Sequence, residues 1–485
     1  MDPARRICRA GAMKPPVHNV PAGELLKLLD ELAAFSVPGP GVTRLLYTPE
    51  WCGAQLFLQQ RMKSLGLEVR QDRVGNIYGR LSGSGAAAAE QVILTGSHID
   101  TVVNGGRYDG AYGIAAAVTV LHYLQQTFGR PLRSLEVVSF SEEEGSRFPL
   151  TFWGSGNVTG LYDGSSREDI ADAEGVTLGA AMKACGLGGE AASAGVSAET
   201  AAAGGKDYDD AGADGAGAAG TGSVDTGSAV TGPAGSAAVT ISRPLRSDIA
   251  AYLELHIEQG IVLERSARQI GVVQAIAGQR RYRVTVSGTA NHAGTTPMGL
   301  RRDALAGSAE MLLALERSAA EEGDPLVATT GRLEVYPGTP NVIPGEVQFT
   351  LDIRHSDAGI LERYCPQVLE EFAAIAARRG LKLEIQPVLM TTPAPMDKEL
   401  CAALEQVCLE QGKTYLRMVS GAGHDAQLFA PLCPAAMIFV PSRGGISHAP
   451  DEYTPPEELA AGMQVLAAIL YKLAYTEEGV IEDRG

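Results

Sequence analysis

The sequence lacks several features that mark other classes of protein. No apolar run reaches the roughly 20 residues that span a membrane, and the first residues carry arginines without the apolar segment of a secretory signal. Positive charge is in deficit, with 40 Lys and Arg against 57 Asp and Glu and a formal net charge of −17. These absences argue against a membrane protein, a secreted protein and a binder of nucleic acid.

Cysteine is sparse and follows no motif. There are seven cysteines, an odd number, and they are scattered without any Cys-x-x-Cys pair. This pattern indicates a reducing compartment, and we expect the cytoplasm. It also argues against a disulfide framework or a zinc site built from thiolates.

Two stretches lack the apolar residues that a core needs. We expect residues 1–22 to be disordered, with a possible true start at Met13. Residues 188–240 are nearly all Ala, Gly, Ser, Thr and Asp. Such a segment buries too little apolar surface to offset its ordering entropy, which predicts a flexible insertion. A glycine-rich phosphate-binding loop is the alternative, but no GxxxxGK[ST] motif occurs there.

Apolar, β-branched runs alternate with helical periodicity in the rest of the chain. The runs at 91–95, 135–141 and 435–440 are typical of buried strands. Their alternation with helices predicts an α/β domain, in which a mostly parallel sheet carries helices on both faces. We assign residues 23–279 and 393–485 to this domain and expect it to contain the chemistry.

Residues 280–392 have a different pattern. Period-two strands and two helices follow one another in the order βαββαβ, which predicts an inserted ferredoxin-like α+β domain. Its position within the chain suggests a lid over the first domain.

The stretch TGSHIDTVVNGGRYDG, residues 95–110, follows one of the buried strands. His98, Asp100 and Asp109 therefore fall where α/β sheets place their sites. Imidazole and carboxylate are ligands for zinc or manganese, and Asp100 could accept the second ring N–H of His98. The alternative is a polar loop that simply caps the strand.

More candidates end other strands. A two-ion site needs one carboxylate that binds both ions, further ligands for each ion, and a base for the attacking water. Asp109 can bridge, with ligands from the set His98, His256, Glu144 and His448, which leaves Glu143 as a base. Spacing alone does not decide which two of Glu142, Glu143 and Glu144 act, or exclude a solvated acidic turn.

The inserted domain and one loop offer further polar residues. Arg354 has a guanidinium suited to a carboxylate, Asn341 lies at a turn, and His292 could supply positive charge to an oxyanion. Each of these could equally be structural. His424 and Asp425, in SGAGHDA, fit either a supporting role beside the ligands or simple loop packing.

Several motifs occur together in one order: GSHIDT, GGRYDG, EEEGSRF, ELHIEQG, NHAGTTPM, NVIPG, SGAGHDA and GISHAPDE. In this they resemble the M20-type amidohydrolases, which include N-carbamoyl-L-amino acid hydrolases, β-ureidopropionases and allantoate amidohydrolases. The stretches EEEGSRFPLTFWGS and HAGTTPMGLRRD are most similar to the bacterial allantoate amidohydrolases. The insertion at 188–240 departs from the family pattern.

The resemblance implies a role for each matching position. The implied metal ligands are His98, Asp109 (bridging), Glu144, His256 and His448, and Asp100 is expected to support them. Glu143 matches the general base. The substrate-binding positions are Gln259, His292, Asn341 and Arg354. The resemblance further implies a homodimer formed through the lid, with His292 reaching the partner's site, and two divalent ions, Mn²⁺ or alternatively Zn²⁺.

The expected activity is hydrolysis of a ureido C–N bond of allantoate to ureidoglycine, ammonia and carbon dioxide. The nearest alternative is the same chemistry on an N-carbamoyl-L-amino acid or β-ureidopropionate. An aminopeptidase, or a catalytically silent binding or scaffold protein, is a weaker alternative.

Overall fold

The structure is a computed structural model that describes residues 17, 20–85, 91–162, 167–187 and 246–477. The helices of these residues are α1 (Ala22–Ala33), α2 (Pro49–Ser64), α3 (Ala111–Phe128), α4 (Trp153–Thr159), α5 (Leu178–Ala184), α6 (Val262–Ser266), α7 (Ala304–Glu322), α8 (Ala358–Arg379), α9 (Lys398–Glu410), α10 (Ala426–Phe429) and α11 (Pro456–Tyr475). The strands are β1 (Glu68–Gln71), β2 (Ile77–Leu81), β3 (Val92–His98), β4 (Ser134–Phe140), β5 (Ile249–Ile257), β6 (Ile270–Ile276), β7 (Gly278–Ser287), β8 (Asn291–His292), β9 (Val327–Thr329), β10 (Leu333–Tyr336), β11 (Val342–Ile343), β12 (Glu346–His355), β13 (Lys382–Met390), β14 (Ala394–Pro395), β15 (Tyr415–Ser420) and β16 (Ala435–Val440).

The larger sheet has nine strands in the order β1-β2-β4-β3-β5-β16-β6-β14, with β15 also paired to β6. Its central strands β4, β3, β5 and β16 are parallel to one another. The pairs β1–β2, β2–β4, β16–β6 and β14–β6 are antiparallel. The predicted α/β class with a mostly parallel central sheet is therefore confirmed.

Burial explains why the centre of this sheet is parallel. Every residue of β3, β4 and β16 is buried, so both faces of these strands are covered. A continuous apolar run suits such a position, whereas a strand with one solvated face would alternate. The small residues Ala115, Ala116 and Ala117 are fully buried on α3, which packs against β3 and lets helix and sheet approach closely.

A second sheet has the order β10-β12-β7-β13, with β9 also paired to β12, and its pairs are antiparallel. With α7 and α8 it has the element order of a ferredoxin-like layer. Burial alternates residue by residue along β12, and a separate apolar cluster lies on this face, including Val284, Phe349 and Phe372. The sheet spans residues 278–390; its role as a lid and the domain bounds at 280 and 392 stay predictions.

Some expectations need correction. The disorder predicted for residues 1–22 is wrong at its end, because α1 begins at Ala22, and Val17 and Val20 are buried in the main core at 1% and 4% exposure. Burial of these two apolar side chains stabilises the fold, because it removes apolar surface from water. Residues 1–16 and the insertion at 188–240 lie outside the described residues.

One cysteine pair also differs from expectation. Cys52 on α2 and Cys185 after α5 form a disulfide, with Cα atoms 6.1 Å apart. The sequence argued against a disulfide framework, and spacing could not show that these two segments, 133 residues apart, are adjacent.

Among the described residues, no helix combines the length and the apolar character that a membrane span needs.

Candidate metal centre

The predicted ligands lie at the carboxyl ends of four neighbouring parallel strands. His98 is the last residue of β3, His256 is near the end of β5, Glu143 and Glu144 follow β4, and His448 lies in the loop after β16. Parallel strands end at the same edge of a sheet, which is where α/β folds build their sites. Residues far apart in the sequence thereby meet.

Asp109 lies between the imidazoles. Its Oδ1 is 3.4 Å from Nε2 of His98 and 3.2 Å from Nε2 of His256. Its Oδ2 is 3.3 Å from Nε2 of His448, and the same Nε2 is 3.3 Å from Oε1 of Glu144. The five residues therefore divide into two groups that share Asp109, the arrangement that a bridging carboxylate requires.

The histidine tautomers show that this cluster fits cations. Nδ1 of His98 is 3.1 Å from the Asp100 carbonyl, and Nδ1 of His256 is 2.9 Å from the Ile257 carbonyl. Because a carbonyl only accepts, Nδ1 carries the proton in both neutral rings. In this tautomer both Nε2 lone pairs lie on the side of Asp109 Oδ1, and Nε2 of His256 also accepts the Gly110 N–H at 3.1 Å. Converging lone pairs of this kind are the donor set of a metal ion.

The pKa shifts report the same negative potential. Burial lowers the pKa of His98, but hydrogen bonds to Asp100 and Asp109 outweigh it and raise that pKa well above 6.5. The half-exposed His448 hydrogen-bonds to Asp109 and Glu144, which raise its pKa to about 11. A site that attracts protons this strongly also favours divalent cations, which compete with protons for the same atoms.

Two of the three glutamates join the cluster. Ligand atoms of His98, Glu143 and Glu144 lie within 4.8 Å of one another. Asp100 fixes both glutamates, since its carboxylate accepts the N–H of Glu143 at 3.0 Å and of Glu144 at 3.2 Å. Burial, followed by the charge of Glu144, raises the pKa of Glu143 well above 4.5. A shift in this direction increases the proton affinity of the Glu143 carboxylate, as the predicted role of general base requires.

Gln259 also lies at this cluster. Its Nε2 donates to Asp109 Oδ2 at 2.8 Å and lies 3.4 Å from Nε2 of His448. Gln259 and His448 both have positive φ angles, of 57° and 54°. Residues other than glycine rarely adopt this conformation, and it concentrates at functional sites.

His292 and Asn341 lie next to each other, at the pair of short strands β8 and β11. β8 pairs with β11, so that His292 lies opposite Val342, and the Ala293 N–H donates to the Asn341 carbonyl at 2.9 Å. His292 is exposed. His292 is in none of the metal-ligating groups found among the described residues.

Arg354 is engaged by its own domain. Its Nε and Nη2 donate to Asp352 at 2.8 and 2.9 Å, and its Nη1 donates to the Gly421 carbonyl at 2.7 Å. The guanidinium expected to bind a substrate carboxylate thus forks onto Asp352 in this structure. Gly421 belongs to the loop that carries His424, so Arg354 links the second sheet to the larger one.

His424 supports the cluster by packing. Its buried ring lies edge-on against His256 with ring centroids 4.7 Å apart, and its Nε2 is 3.0 Å from the Ser420 hydroxyl. The contact with His256 favours a supporting role of His424 beside the ligands, which stays a prediction.

Sequence reasoning missed Glu452 and Ser447. Glu452 is 4% exposed, and its Oε1 accepts the Asp109 N–H at 3.2 Å. Both residues lie in GISHAPDE, around His448, and a carboxylate four residues after a ligand was the only available signal. The sequence could not show that it contacts a loop 343 residues earlier.

Comparison with known proteins agrees with this geometry. Residues 94–472 match the model of peptidase family M20/M25/M40. The chain is 44% identical to the allantoate amidohydrolase of Bacillus subtilis (strain 168), covering 90% of this chain and 93% of that protein. It is also 44% identical to the allantoate amidohydrolase of Escherichia coli (strain K12), covering 92% and 96%.

Solved structures agree as well. A crystal structure of an amidase of the hydantoinase/carbamoylase family from Burkholderia multivorans superposes with a TM-score of 0.78 and 32% identity, covering 93% of this chain and 97% of that one. With a family match over most of its length and two relatives at 44% identity, the chain belongs to peptidase family M20/M25/M40.

Proposed function

We propose that this protein is an allantoate amidohydrolase, which hydrolyses a ureido C–N bond of allantoate to give ureidoglycine, ammonia and carbon dioxide. The observation that carries the proposal is 44% identity to two allantoate amidohydrolases over at least 90% of this chain. The ligand cluster around Asp109 supports it, because hydrolysis of a ureide needs an activated water and a polarised carbonyl.

The residues of the cluster fit two divalent ions. His98 and His256 with Asp109 Oδ1 would hold one ion, and His448 and Glu144 with Asp109 Oδ2 the other. When bound, such a pair supplies Lewis-acid polarisation of the carbonyl and a lowered pKa for water. We propose manganese, as the family resemblance implies; the nitrogen and oxygen ligands also suit zinc.

Glu143 moves the proton. Its carboxylate takes a proton from water as the water oxygen attacks the ureido carbon, and it gives that proton to the terminal nitrogen as the C–N bond breaks. Ammonia leaves, and the remaining carbamate loses carbon dioxide to give the free amine of ureidoglycine. Asp100 orients Glu143 through the backbone N–H of that residue.

The substrate carboxylate is held by Arg354, Asn341 and Gln259. Two nitrogens of the Arg354 guanidinium stay hydrogen-bonded to Asp352. The third, Nη1, can then donate to the substrate carboxylate in place of the Gly421 carbonyl. Hydrogen bonds to charged groups contribute about 1.5–3 kcal/mol each. This exchange would distinguish allantoate from a neutral ureide.

We further propose that the second sheet acts as a lid and as the dimer interface. His292 is exposed on the separate two-stranded sheet β8–β11, which follows β7 in the chain, and there it can approach the site of a second subunit and stabilise the developing oxyanion. A cytoplasmic location is also part of this proposal.

The test is ammonia release by the Mn²⁺-loaded protein from three substrates at equal concentrations: allantoate, an N-carbamoyl-L-amino acid and β-ureidopropionate. We expect the highest kcat/KM with allantoate, and no release by the Glu143→Gln variant. A higher kcat/KM with either of the other substrates would overturn the choice of substrate. An N-carbamoyl-L-amino acid is the second candidate, because the Burkholderia multivorans structure is an amidase of the hydantoinase/carbamoylase family.

A further inference from the structure

Two metal-ligand loops meet at a buried carboxylate that the proposed mechanism does not use. The loop after β3 carries Asp109, and the loop after β16 carries His448. Glu452 lies between them with only 4% of its surface exposed. Its Oε1 accepts the N–H of Tyr108 at 2.8 Å and of Asp109 at 3.2 Å.

The other oxygen of Glu452 reaches the same ligand by a second route. Oε2 lies 2.9 Å from the hydroxyl of Ser447, and that hydroxyl lies 2.8 Å from Oδ2 of Asp109. Glu452 therefore contacts the backbone of Asp109 and, through Ser447, its carboxylate. Ser447 directly precedes His448, so the same contacts also fix the backbone next to the second ligand.

A glycine leaves the room that Glu452 occupies. A Cβ on Gly106 would lie 2.0 Å from both Cδ and Oε1 of Glu452. A separation this short is a clash, so either the loop or the carboxylate would have to move. Gly106 is thus required for the close approach of the loop backbone to Glu452.

We propose that Glu452 is a positioning residue that holds the Asp109 carboxylate in register with His448 and so completes the subsite formed by Asp109 Oδ2, Glu144 and His448. This rests on the proposed two-ion function. Groups that orient metal ligands typically affect metal affinity by about 10–100-fold. The ion between His98, His256 and Asp109 Oδ1 should depend less on Glu452, because Ser447 contacts Oδ2.

The test compares Glu452→Ala with Glu452→Gln. Glutamine keeps an oxygen for the two backbone N–H groups, and its amide can donate to Ser447, which then donates to Asp109. We expect Glu452→Ala to bind one of two Mn²⁺ ions, the ion at Asp109 Oδ2, about 10–100-fold less tightly, and Glu452→Gln to restore most of that affinity. Calorimetric titration of the metal-free protein with Mn²⁺ measures both ions, and electron paramagnetic resonance reports whether they are coupled.

Two more variants keep the test decisive if Glu452→Ala does not fold. Ser447→Ala removes the link to Oδ2, and Gly106→Ala displaces Glu452; both should weaken the same ion. Asp72→Asn is the matched control, since Asp72 also accepts two backbone N–H groups, of Val74 and Asn76 at 3.1 and 3.0 Å, outside the ligand cluster. It should bind two ions as the wild type does.

Several outcomes would overturn the proposal. One is that Ser447→Ala and Gly106→Ala both bind two ions with wild-type affinity. Another is that Glu452→Gln and Glu452→Ala lose the same amount of Mn²⁺ affinity, because the loss would then come from the missing charge of Glu452. Metal titration needs no substrate, so it separates this proposal from the choice of allantoate. If allantoate is not hydrolysed but the variants lose one ion, the positioning role stands without the proposed substrate.

Discussion

The carboxylate of Asp352 accepts two hydrogen bonds from the guanidinium of Arg354, of 2.8 Å from Nε and 2.9 Å from Nη2. Asp352 also accepts from Nε of Arg281 at 2.8 Å, so one carboxylate serves two arginines. Only Nη1 of Arg354 points to the larger sheet, where it meets the Gly421 carbonyl. The orientation of Arg354 therefore depends on Asp352, and both residues can be tested.

Replacement of Arg354 by alanine should weaken substrate binding. We expect KM for allantoate to rise about 10–100-fold, because a hydrogen bond to a charged group contributes about 1.5–3 kcal/mol, with a smaller change in kcat. Steady-state kinetics with ammonia detection measures both. Arg332→Ala removes an exposed arginine between β9 and β10 and should leave KM near the wild-type value. An unchanged KM in Arg354→Ala would remove this residue from the substrate site.

Asp352 should make stability depend on pH in the acid range. Burial raises its pKa, but the hydrogen bonds and charges of Arg354 and Arg281 outweigh burial and lower the pKa below 3.8. A carboxyl whose pKa is lower in the folded state stabilises it above the unfolded pKa of about 3.9, and this contribution is lost as pH falls through the folded pKa. The Asp352→Asn variant should lack it.

The measurement is urea unfolding of the wild type and Asp352→Asn at several pH values. The difference in their free energies of unfolding should be constant between about pH 5 and 8, and it should shrink below about pH 4. Glu334→Gln, at an exposed ion pair with Arg332 on the same sheet, should show little effect at any pH. A difference that grows as pH falls would contradict the assignment.

Glu143→Gln should abolish turnover without loss of metal. A positioned general base contributes about 10²–10⁴-fold to the rate, so kcat should fall by at least about 10²-fold. Metal analysis should still find two ions per subunit. Glu142→Gln is the matched control. Glu142 is 1% exposed and lies outside the metal-ligating groups found among the described residues, and burial followed by the charge of Asp100 raises its pKa well above 4.5. Near-normal kcat in Glu143→Gln would exclude it as the base.

The Cys52–Cys185 disulfide can be checked by thiol counting. Protein unfolded without reductant should have two fewer reactive thiols than protein unfolded after reduction, and peptide mapping should find these two cysteines linked. Reduction should lower the free energy of unfolding by about 2–4 kcal/mol, the usual contribution of such a crosslink. An equal thiol count in both samples would show that the pair is reduced, as the sequence had suggested.

The sequence predicted the regular parts of the fold well. The predicted strands at 91–95, 135–141 and 435–440 correspond to β3, β4 and β16, because each is a continuous apolar run. The second strand of the predicted βαββαβ order is instead two short strands, β9 and β10, interrupted around Gly331. Two strands, β6 and β15, were not assigned, since short apolar runs do not distinguish strand from helix.

The site was predictable where a general rule applied. His98, His256 and the glutamates end buried strands, and parallel strands end at one edge. The rule says nothing about Glu452, whose contacts join loops 343 residues apart. It also could not separate the three adjacent glutamates, because only their directions in the folded chain leave Glu142 outside the cluster. The sequence also could not show that the Asp352 carboxylate accepts two hydrogen bonds from the Arg354 guanidinium.

The order of the central strands has a consequence for biosynthesis. The proposed ligands come from both sides of residues 278–390, and His448 follows all the others in the chain. A ribosome must therefore release β16 and the loop after it before both groups of ligands can close around Asp109. Nascent chains shorter than this should capture metal poorly, so the cation should enter late, after the sheet has assembled.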